Sequence, residues 1–194
     1  MVATALSHDT LFAGKLTCVQ SLSGYRFSID AVLLAHFATP RYQDRVLDLG
    51  AGCGVISLIL AYRHPSIDLT CLEIQDSLSK LLAHNISQNG LADRMRLVTG
   101  DLRQVKEMLP VGAFDLVVCN PPYYSLGRGQ QNPNDEQAVA RHELKAGLAD
   151  IAEAAAFALR TKGRLVMIYP AARGAALLAA LRQRQLEPGN GLVT

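Results

Sequence analysis

Four short stretches of this 194-residue chain carry side chains whose types and spacing could do chemistry. The first is Val46-Leu47-Asp48-Leu49-Gly50-Ala51-Gly52-Cys53-Gly54. Glycines at three alternate positions let a backbone turn sharply and press against a ligand, and free N–H groups at the start of a following helix favour that ligand's negative end. The second is Leu72-Glu73-Ile74, with an acid placed to accept both hydroxyls of a ribose. The third is Gly100-Asp101-Leu102, with an acid placed to accept from an adenine amino group. Hydrogen bonds to an ionised carboxylate contribute about 1.5–3 kcal/mol each, so Glu73 would fix the sugar and Asp101 select the base, with Ile74 and Leu102 packing on the ring. The fourth stretch is Asn120-Pro121-Pro122-Tyr123. Two successive prolines forbid helix and stiffen the backbone. The Asn120 amide oxygen and the Pro121 carbonyl can then converge on one amino group and hold its planar nitrogen facing a donor, while Tyr123 offers a stacking plane worth about 1–3 kcal/mol per base.

Each stretch also has a plainer reading: an ordinary strand-to-helix turn, solvated loop acids, and a rigid turn with a structural asparagine. The spacing narrows the ligand class. Dinucleotide enzymes use G-x-G-x-x-G, with the third glycine one residue later than here, so a nicotinamide dehydrogenase is disfavoured.

The elements that must position these residues follow from hydrophobic periodicity. Strands are predicted at Arg45 to Leu49, Ile67 to Leu72, Met95 to Thr99, Phe114 to Cys119 and Arg164 to Tyr169. Helices are predicted from Gly54 to Arg63, from Asp76 (as N-cap) to Gln88, from Leu102 to Met108, from Leu148 to Leu159 and from Ala171 to Arg184. This alternation means βαβ units and a parallel sheet covered on both faces. Ser125 to Ala138, rich in Gly, Gln, Asn and Pro, reads as a long loop. Before the alternation begins, Lys15 to Gln20 and Tyr25 to Ser28 suggest a hairpin around Ser23-Gly24, followed by a helix from Ile29 to Ala38. Residues 1–43 are thus expected to cap the core formed by residues 44–194. The chain stops at Gly189-Asn-Gly-Leu-Val-Thr194, where a further strand could begin, and the expectation is that C-terminal strands are missing.

Composition limits the function classes. Hydrophobic residues make up 49% and charged residues 19%, enough for a buried core and too ordered a mixture for global disorder. No apolar run reaches the roughly 18 residues of a membrane span, and Met1 to Asp9 do not resemble a secretion signal, so a soluble, cytoplasmic protein is expected. Nineteen basic and seventeen acidic side chains leave a net charge of +2, too little to imply nucleic-acid binding alone. Arg160, Lys162, Arg164, Arg173, Arg182 and Arg184 lie in a stretch without Asp or Glu, which is either a phosphate-attracting face or a solvated helix face. Cys18, Cys53, Cys71 and Cys119 are scattered and no His cluster accompanies them, so neither a metal site nor a disulfide scaffold is expected.

In order, the glycine turn preceded by Asp48, the acid Glu73 and the acid Asp101 resemble class I S-adenosylmethionine-dependent methyltransferases. The resemblance implies a Rossmann-like α/β sheet, with S-adenosylmethionine as cofactor held by Asp48, Gly50, Gly52, Glu73, Ile74, Asp101 and Leu102. Asn120-Pro121-Pro122-Tyr123 is similar to the signature of amino-methyltransferases acting on adenine N6, guanine N2 or glutamine N5, which implies Asn120, Pro121 and Tyr123 as the residues holding the acceptor, with Asn120 also beside the cofactor. Two longer segments, Ser23 to Ala35 and the pair Asn132-Pro-Asn134 and Ala140-Arg141-His142-Glu143, look like the tRNA adenine-N6 methyltransferases that modify the base 3′ of the anticodon in a valine tRNA. In that likeness Phe27 and Asp30 close over the methionine end of the cofactor; the alternative is a core aromatic and a helix N-cap. The same likeness implies that Arg141 and His142 contact the RNA backbone or order the loop; the alternative is a plain helix lead-in. The implied partner is tRNA, with the target base splayed or flipped out at a cost of a few kcal/mol. Competing readings are a protein glutamine-N5 methyltransferase, a guanine-N2 RNA methyltransferase, and an RNA-binding protein with a vestigial pocket.

Overall fold

A computed structural model describes residues 5–22, 26–121 and 147–189. The chain opens with an antiparallel hairpin of β1 (Leu6–Leu11) and β2 (Leu16–Ser21), then α1 (Ile29–Phe37). The alternating part follows: β3 (Arg45–Leu49), α2 (Val55–Arg63), β4 (Asp68–Glu73), α3 (Asp76–Gln88), β5 (Met95–Thr99), α4 (Val105–Met108), β6 (Phe114–Cys119), α5 (Leu148–Ala158), β7 (Leu159–Met167) and α6 (Gly174–Gln183). The last five strands form one parallel sheet in the order β5-β4-β3-β6-β7. Strand order reverses between β3 and β6, and in open α/β sheets the crevice beyond the carboxyl ends at such a reversal is where ligands bind.

Side chains alternate along the central strands, as a two-residue period requires. Val46, Leu116 and Val118 enter a core shared with α1, α2, α3 and β2, while Leu47, Leu49 and Val117 enter a second core shared with α5. Both faces are covered, which is why β3 and β6 read as nearly continuous apolar runs. Every residue of α2 from Val55 to Ala61 is buried, because the helix packs on β4, β2 and α1 together. Two arginines close this layer. Arg63 donates to Ala35 O at 2.8 Å, and Arg94 donates to Ala61 O at 2.8 Å, where the last carbonyls of α2 need partners. No helix among the described residues is long and apolar enough to cross a membrane.

Several sequence expectations are corrected. The hairpin pairs β2 with the preceding strand Leu6–Leu11, not with Tyr25 to Ser28; Tyr25, like Ser23 and Gly24, lies outside the described residues, and Arg26–Ser28 form no strand. Its turn places Phe12, Ala13 and Gly14 at positive φ, and Phe12 and Ala13 carry no turn signal in their residue types. Phe12 is held there by stacking on Tyr62 with ring centroids 4.4 Å apart. Asp76 is the first residue of α3 rather than its cap, which is Gln75; Asp76 instead pairs with Lys80 one turn on. The helix expected from Leu102 splits into a 3-10 turn, Leu102–Gln104, and the single turn α4, because the Asp101 side chain accepts from Arg103 N and tightens the start. β7 begins five residues earlier than expected: Phe114 pairs with Leu159 and Leu116 with Arg164, so an irregularity around Lys162 (φ 63°) and Gly163 interrupts one strand instead of preceding it.

A pair of asparagines fastens the hairpin to the core. Asn85 and Asn89 stand one turn apart on α3, and each amide pairs with a backbone N–H and C=O of β2 as a neighbouring strand would. Asn85 Oδ1 accepts from Val19 N at 2.8 Å and its Nδ2 donates to Val19 O at 2.9 Å. Asn89 does the same with Thr17 at 2.9 and 2.7 Å. Asn85 Nδ2 also donates to Cys53 O at 2.9 Å, inside the glycine turn.

Candidate active site

The glycine turn follows β3. Gly50, Gly52 and Gly54 all have positive φ, a conformation L side chains resist. At Gly54 space is limiting too, since a Cβ would stand 2.2 Å from Leu82 Cδ1. At Gly50 and Gly52 nothing lies within 4 Å of that position, so the turn presents open, side-chain-free backbone. Four of the turn's own N–H groups are engaged within the protein. Gly50 N and Ala51 N donate to Leu72 O at 2.9 and 3.0 Å, Gly54 N to Ala51 O at 2.9 Å, and Gly52 N to Glu73 Oε2 at 2.7 Å. The turn therefore contributes shape and is clamped to β4.

Glu73 ends β4 and is 3% exposed. Its second oxygen accepts from Gln75 N at 2.8 Å. Burial pushes its carboxyl up, against the opposing pull of the Gln75, Gly52 and Ile74 N–H groups. A carboxylate has about four acceptor positions, so with these three N–H groups about one remains for a hydroxyl donor.

Asp48 lies beneath the turn, fully buried. Its Oδ2 accepts from Ser57 Oγ at 2.7 Å, and Cys71 Sγ donates to the same hydroxyl at 3.2 Å. Asp48 Oδ1 is one of two buried side-chain polar atoms among the described residues without a partner. Burial raises the Asp48 carboxyl to about 7, the Ser57 hydrogen bond opposes the rise, and the Glu73 charge adds to it. An acid whose folded pKa exceeds its unfolded value of about 3.8 binds its proton more tightly in the fold. Its contribution to stability is present below pH 4 and is lost as pH rises through about 7. Glu73 acts in the same direction. Wild-type protein should therefore be less stable at pH 8 than at pH 5, this group accounting for on the order of 2–3 kcal/mol. Asp48→Asn should flatten that profile in denaturant titrations; an unchanged slope would contradict the assignment.

Asp101 follows β5, and its carboxylate is gripped by Arg103, whose Nε reaches Oδ1 at 3.0 Å and Oδ2 at 2.8 Å while Nη2 reaches Oδ2. The Arg103 hydrogen bonds hold the Asp101 carboxyl below the usual range. Ile74, Gln75, Asp76, Ser77 and Arg103 line a cavity of about 500 Å³, to which Glu73 is joined through its chain neighbour Ile74 and Asp101 through Arg103. Leu102 is half-buried against the second core. Asn120 and the buried Pro121 follow β6.

Strand register aligns these groups. Asp48 pairs with Val118 and with Cys71, and Glu73 pairs with Thr99, so Asn120, Gly50, Glu73 and Thr99 stand in one row along the carboxyl edge, with Asp101 two residues beyond it. At about 4.8 Å per strand, Asn120 is about 10 Å from Glu73 and about 14 Å from Thr99.

Of the other predicted residues, Phe27 packs half-buried against the first core, and its N–H donates to Gln20 Oε1 at 3.1 Å. Asp30 sits in the first turn of α1, whose N-cap is Ser28. Pro122, Tyr123, the loop Ser125 to Ala138, the segment Asn132-Pro-Asn134, Arg141 and His142 lie outside the described residues, as does the end of the chain from residue 190. Sequence reasoning missed Arg103, signalled only by its position two residues after Asp101, and Asn85, signalled by the i, i+4 pair of asparagines on α3.

A parallel sheet that sets a glycine turn and its acids along one carboxyl edge, at the point where strand order reverses, is a Rossmann-like sheet of the methyltransferase type. The family model for the methyltransferase small domain matches residues 28–183, and the chain belongs to that family. A curated relative, the tRNA1(Val) (adenine(37)-N6)-methyltransferase of Shewanella sp. (strain W3-18-1), is 34% identical over 148 residues, covering 76% of this chain and 61% of that protein. The chain thus spans about three fifths of the length of that relative. Among solved structures, a predicted O-methyltransferase, Atu636 from Agrobacterium tumefaciens, aligns with a TM-score of 0.61 and 22% identity over 77% of this chain and 65% of that one. TrmN from Thermus thermophilus aligns with a TM-score of 0.57 and 23% identity over 87% of this chain and 42% of that one. At these identities the two structures speak to the fold.

Proposed function

We propose that this protein transfers the methyl group of S-adenosylmethionine to the exocyclic N6 of adenine in tRNA, with the base 3′ of the anticodon of a valine tRNA as target. The observation that carries the reading is the single row of Asn120, Gly50, Glu73 and Thr99 along the carboxyl edge, with Asp101 two residues beyond Thr99. The curated relative's substrate and the length shared with it support the choice of nucleic acid and base.

The open backbone at Gly50 and Gly52 fits the cofactor, since no side chain stands there. Glu73, which keeps about one acceptor position, would hold a ribose hydroxyl. Asp101 would accept from the adenine amino group, joined through Arg103 to the cavity that includes Ile74. Asp48 supports the turn from below through Ser57. When bound, the cofactor supplies an electrophilic methyl on a sulfonium. The Asn120 amide oxygen and the Pro121 carbonyl accept the two N–H groups of the acceptor and hold its nitrogen in line. Accepting those bonds also moves charge onto the nitrogen as it attacks, and no carboxylate or imidazole is asked to act as a strong base. Tyr123 stacks on the target base in this reading, and Phe27 and Asp30 approach the methionine end.

Unmodified tRNA and a release factor offered side by side with labelled S-adenosylmethionine test this. N6-methyladenosine in the digested tRNA is the expected product. Label in a glutamine of the release factor, or as N2-methylguanosine, would reassign the acceptor, and label in neither would overturn the reading.

A further inference from the structure

Arg103 belongs to no expected site residue, yet it joins two features of the candidate pocket. It directs three N–H groups at one carboxylate: its backbone N–H reaches Asp101 Oδ1 at 2.9 Å, Nε bridges both oxygens, and Nη2 reaches Oδ2. These four contacts put two on each oxygen, so the carboxylate is held in one plane, and a further donor must share an oxygen that Arg103 already holds. Arg103 also lines the 500 Å³ cavity, as the one contributor that does not come from the Ile74–Ser77 segment. A planar guanidinium holding a carboxylate in two-pronged fashion fixes its plane, which a lysine ammonium cannot do.

We propose that Arg103 is a specificity-determining positioning residue: it fixes the plane of the Asp101 carboxylate so that an acceptor oxygen is presented to one N–H of an exocyclic amino group, and so makes the pocket select a 6-amino purine over a 6-oxo purine. The inference rests on the reading of Glu73 and Asp101 as the cofactor's nucleoside site and deepens it. A 6-oxo purine presents an oxygen where Asp101 presents an oxygen, and the two acceptors repel. With Arg103 shortened or uncharged, Asp101 can rotate and take water in its place, and the penalty against the oxo ring shrinks. Asp76, the other charged residue lining the cavity, is paired with Lys80 at 2.6 Å, while Asp150 adds a weaker attraction on the guanidinium.

The test is calorimetric titration of S-adenosylhomocysteine and S-inosylhomocysteine into wild type, Arg103→Met and Arg103→Lys, with thermal unfolding of each as a folding control. Wild type is expected to prefer the adenosyl ligand by about 50-fold or more. In Arg103→Met the adenosyl affinity should fall about tenfold and the preference to about fivefold or less, with Arg103→Lys closer to Met than to wild type. Because the side chain is exposed, unfolding should be nearly unchanged. Equal weakening of both ligands, an unchanged preference, or tighter adenosyl binding by Arg103→Met would overturn the proposal while leaving the nucleoside site standing. Failure of wild type to bind S-adenosylhomocysteine would overturn that site and this inference with it.

Discussion

Replacing Asn120 with alanine should lower methyl transfer about 10³-fold while S-adenosylhomocysteine affinity stays within about threefold of wild type. The asymmetry follows from position. Asn120 ends β6, on the far side of the strand-order reversal from Glu73 and Asp101, so the nucleoside half of the pocket is built without it. Its proposed role is to accept one of two N–H groups on the acceptor and hold the nitrogen in line, an interaction that matters most while bonds are changing. Removing one such preorganised partner costs about 10²–10³ in turnover elsewhere, and here the remaining Pro121 carbonyl cannot fix the nitrogen's orientation alone. Single-turnover transfer to unmodified tRNA gives the rate, and calorimetry gives the affinity. Loss of both together would place Asn120 in cofactor binding; retention of turnover would remove it from the reaction.

Asn85→Ala should destabilise the fold by about 3–5 kcal/mol, among the largest single-residue effects available to a side chain of this size. The residue is fully buried and its amide satisfies Val19 N, Val19 O and Cys53 O. Alanine leaves three backbone groups sealed from water without partners, each costing about 1–3 kcal/mol, and opens a cavity besides. Since Cys53 lies between Gly52 and Gly54, the same change should loosen the turn that faces the candidate pocket, so cofactor affinity should fall along with the denaturation midpoint. Asn85→Asp separates packing from hydrogen bonding: it keeps the volume and the acceptor for Val19 N but presents a carboxylate oxygen to Val19 O and Cys53 O, and should be at least as damaging. A loss below about 1 kcal/mol in both variants would mean that the two carbonyls and the N–H find other partners.

What could be seen in the sequence divides along physical lines. Strands and helices whose burial is one-dimensional were legible: β3, β5, β6 and α3 run over the residues that periodicity assigns them. The glycine turn and its acids were legible because backbone shape and charge announce themselves in residue type. Contacts between distant segments were not. The partner of β2 was misplaced because Leu6–Leu11 is mostly polar and its turn is held by the Phe12–Tyr62 stack, a tertiary contact. β7 was started late because Lys162 and Gly163 look like a stop but form an irregularity tolerated at the sheet's edge. Asp48 is among the residues that the resemblance assigns to holding the cofactor; a two-residue period sends its side chain to the α2 side, where Ser57 meets it, a partner that residue type does not announce. Arg103 and Asn85 act through backbone atoms and another side chain, and neither partner can be read from composition or spacing.

In the proposed reading, one pocket along the carboxyl edge holds a nucleoside cofactor with its sulfur end turned toward Asn120. A crystal structure with S-adenosylhomocysteine tests it most directly. A ribose hydroxyl should lie within hydrogen-bond distance of Glu73, the purine amino group on Asp101, and the sulfur nearer Asn120 than the purine is. Ligand bound elsewhere on the protein, or bound in that pocket with its ends reversed, would contradict it.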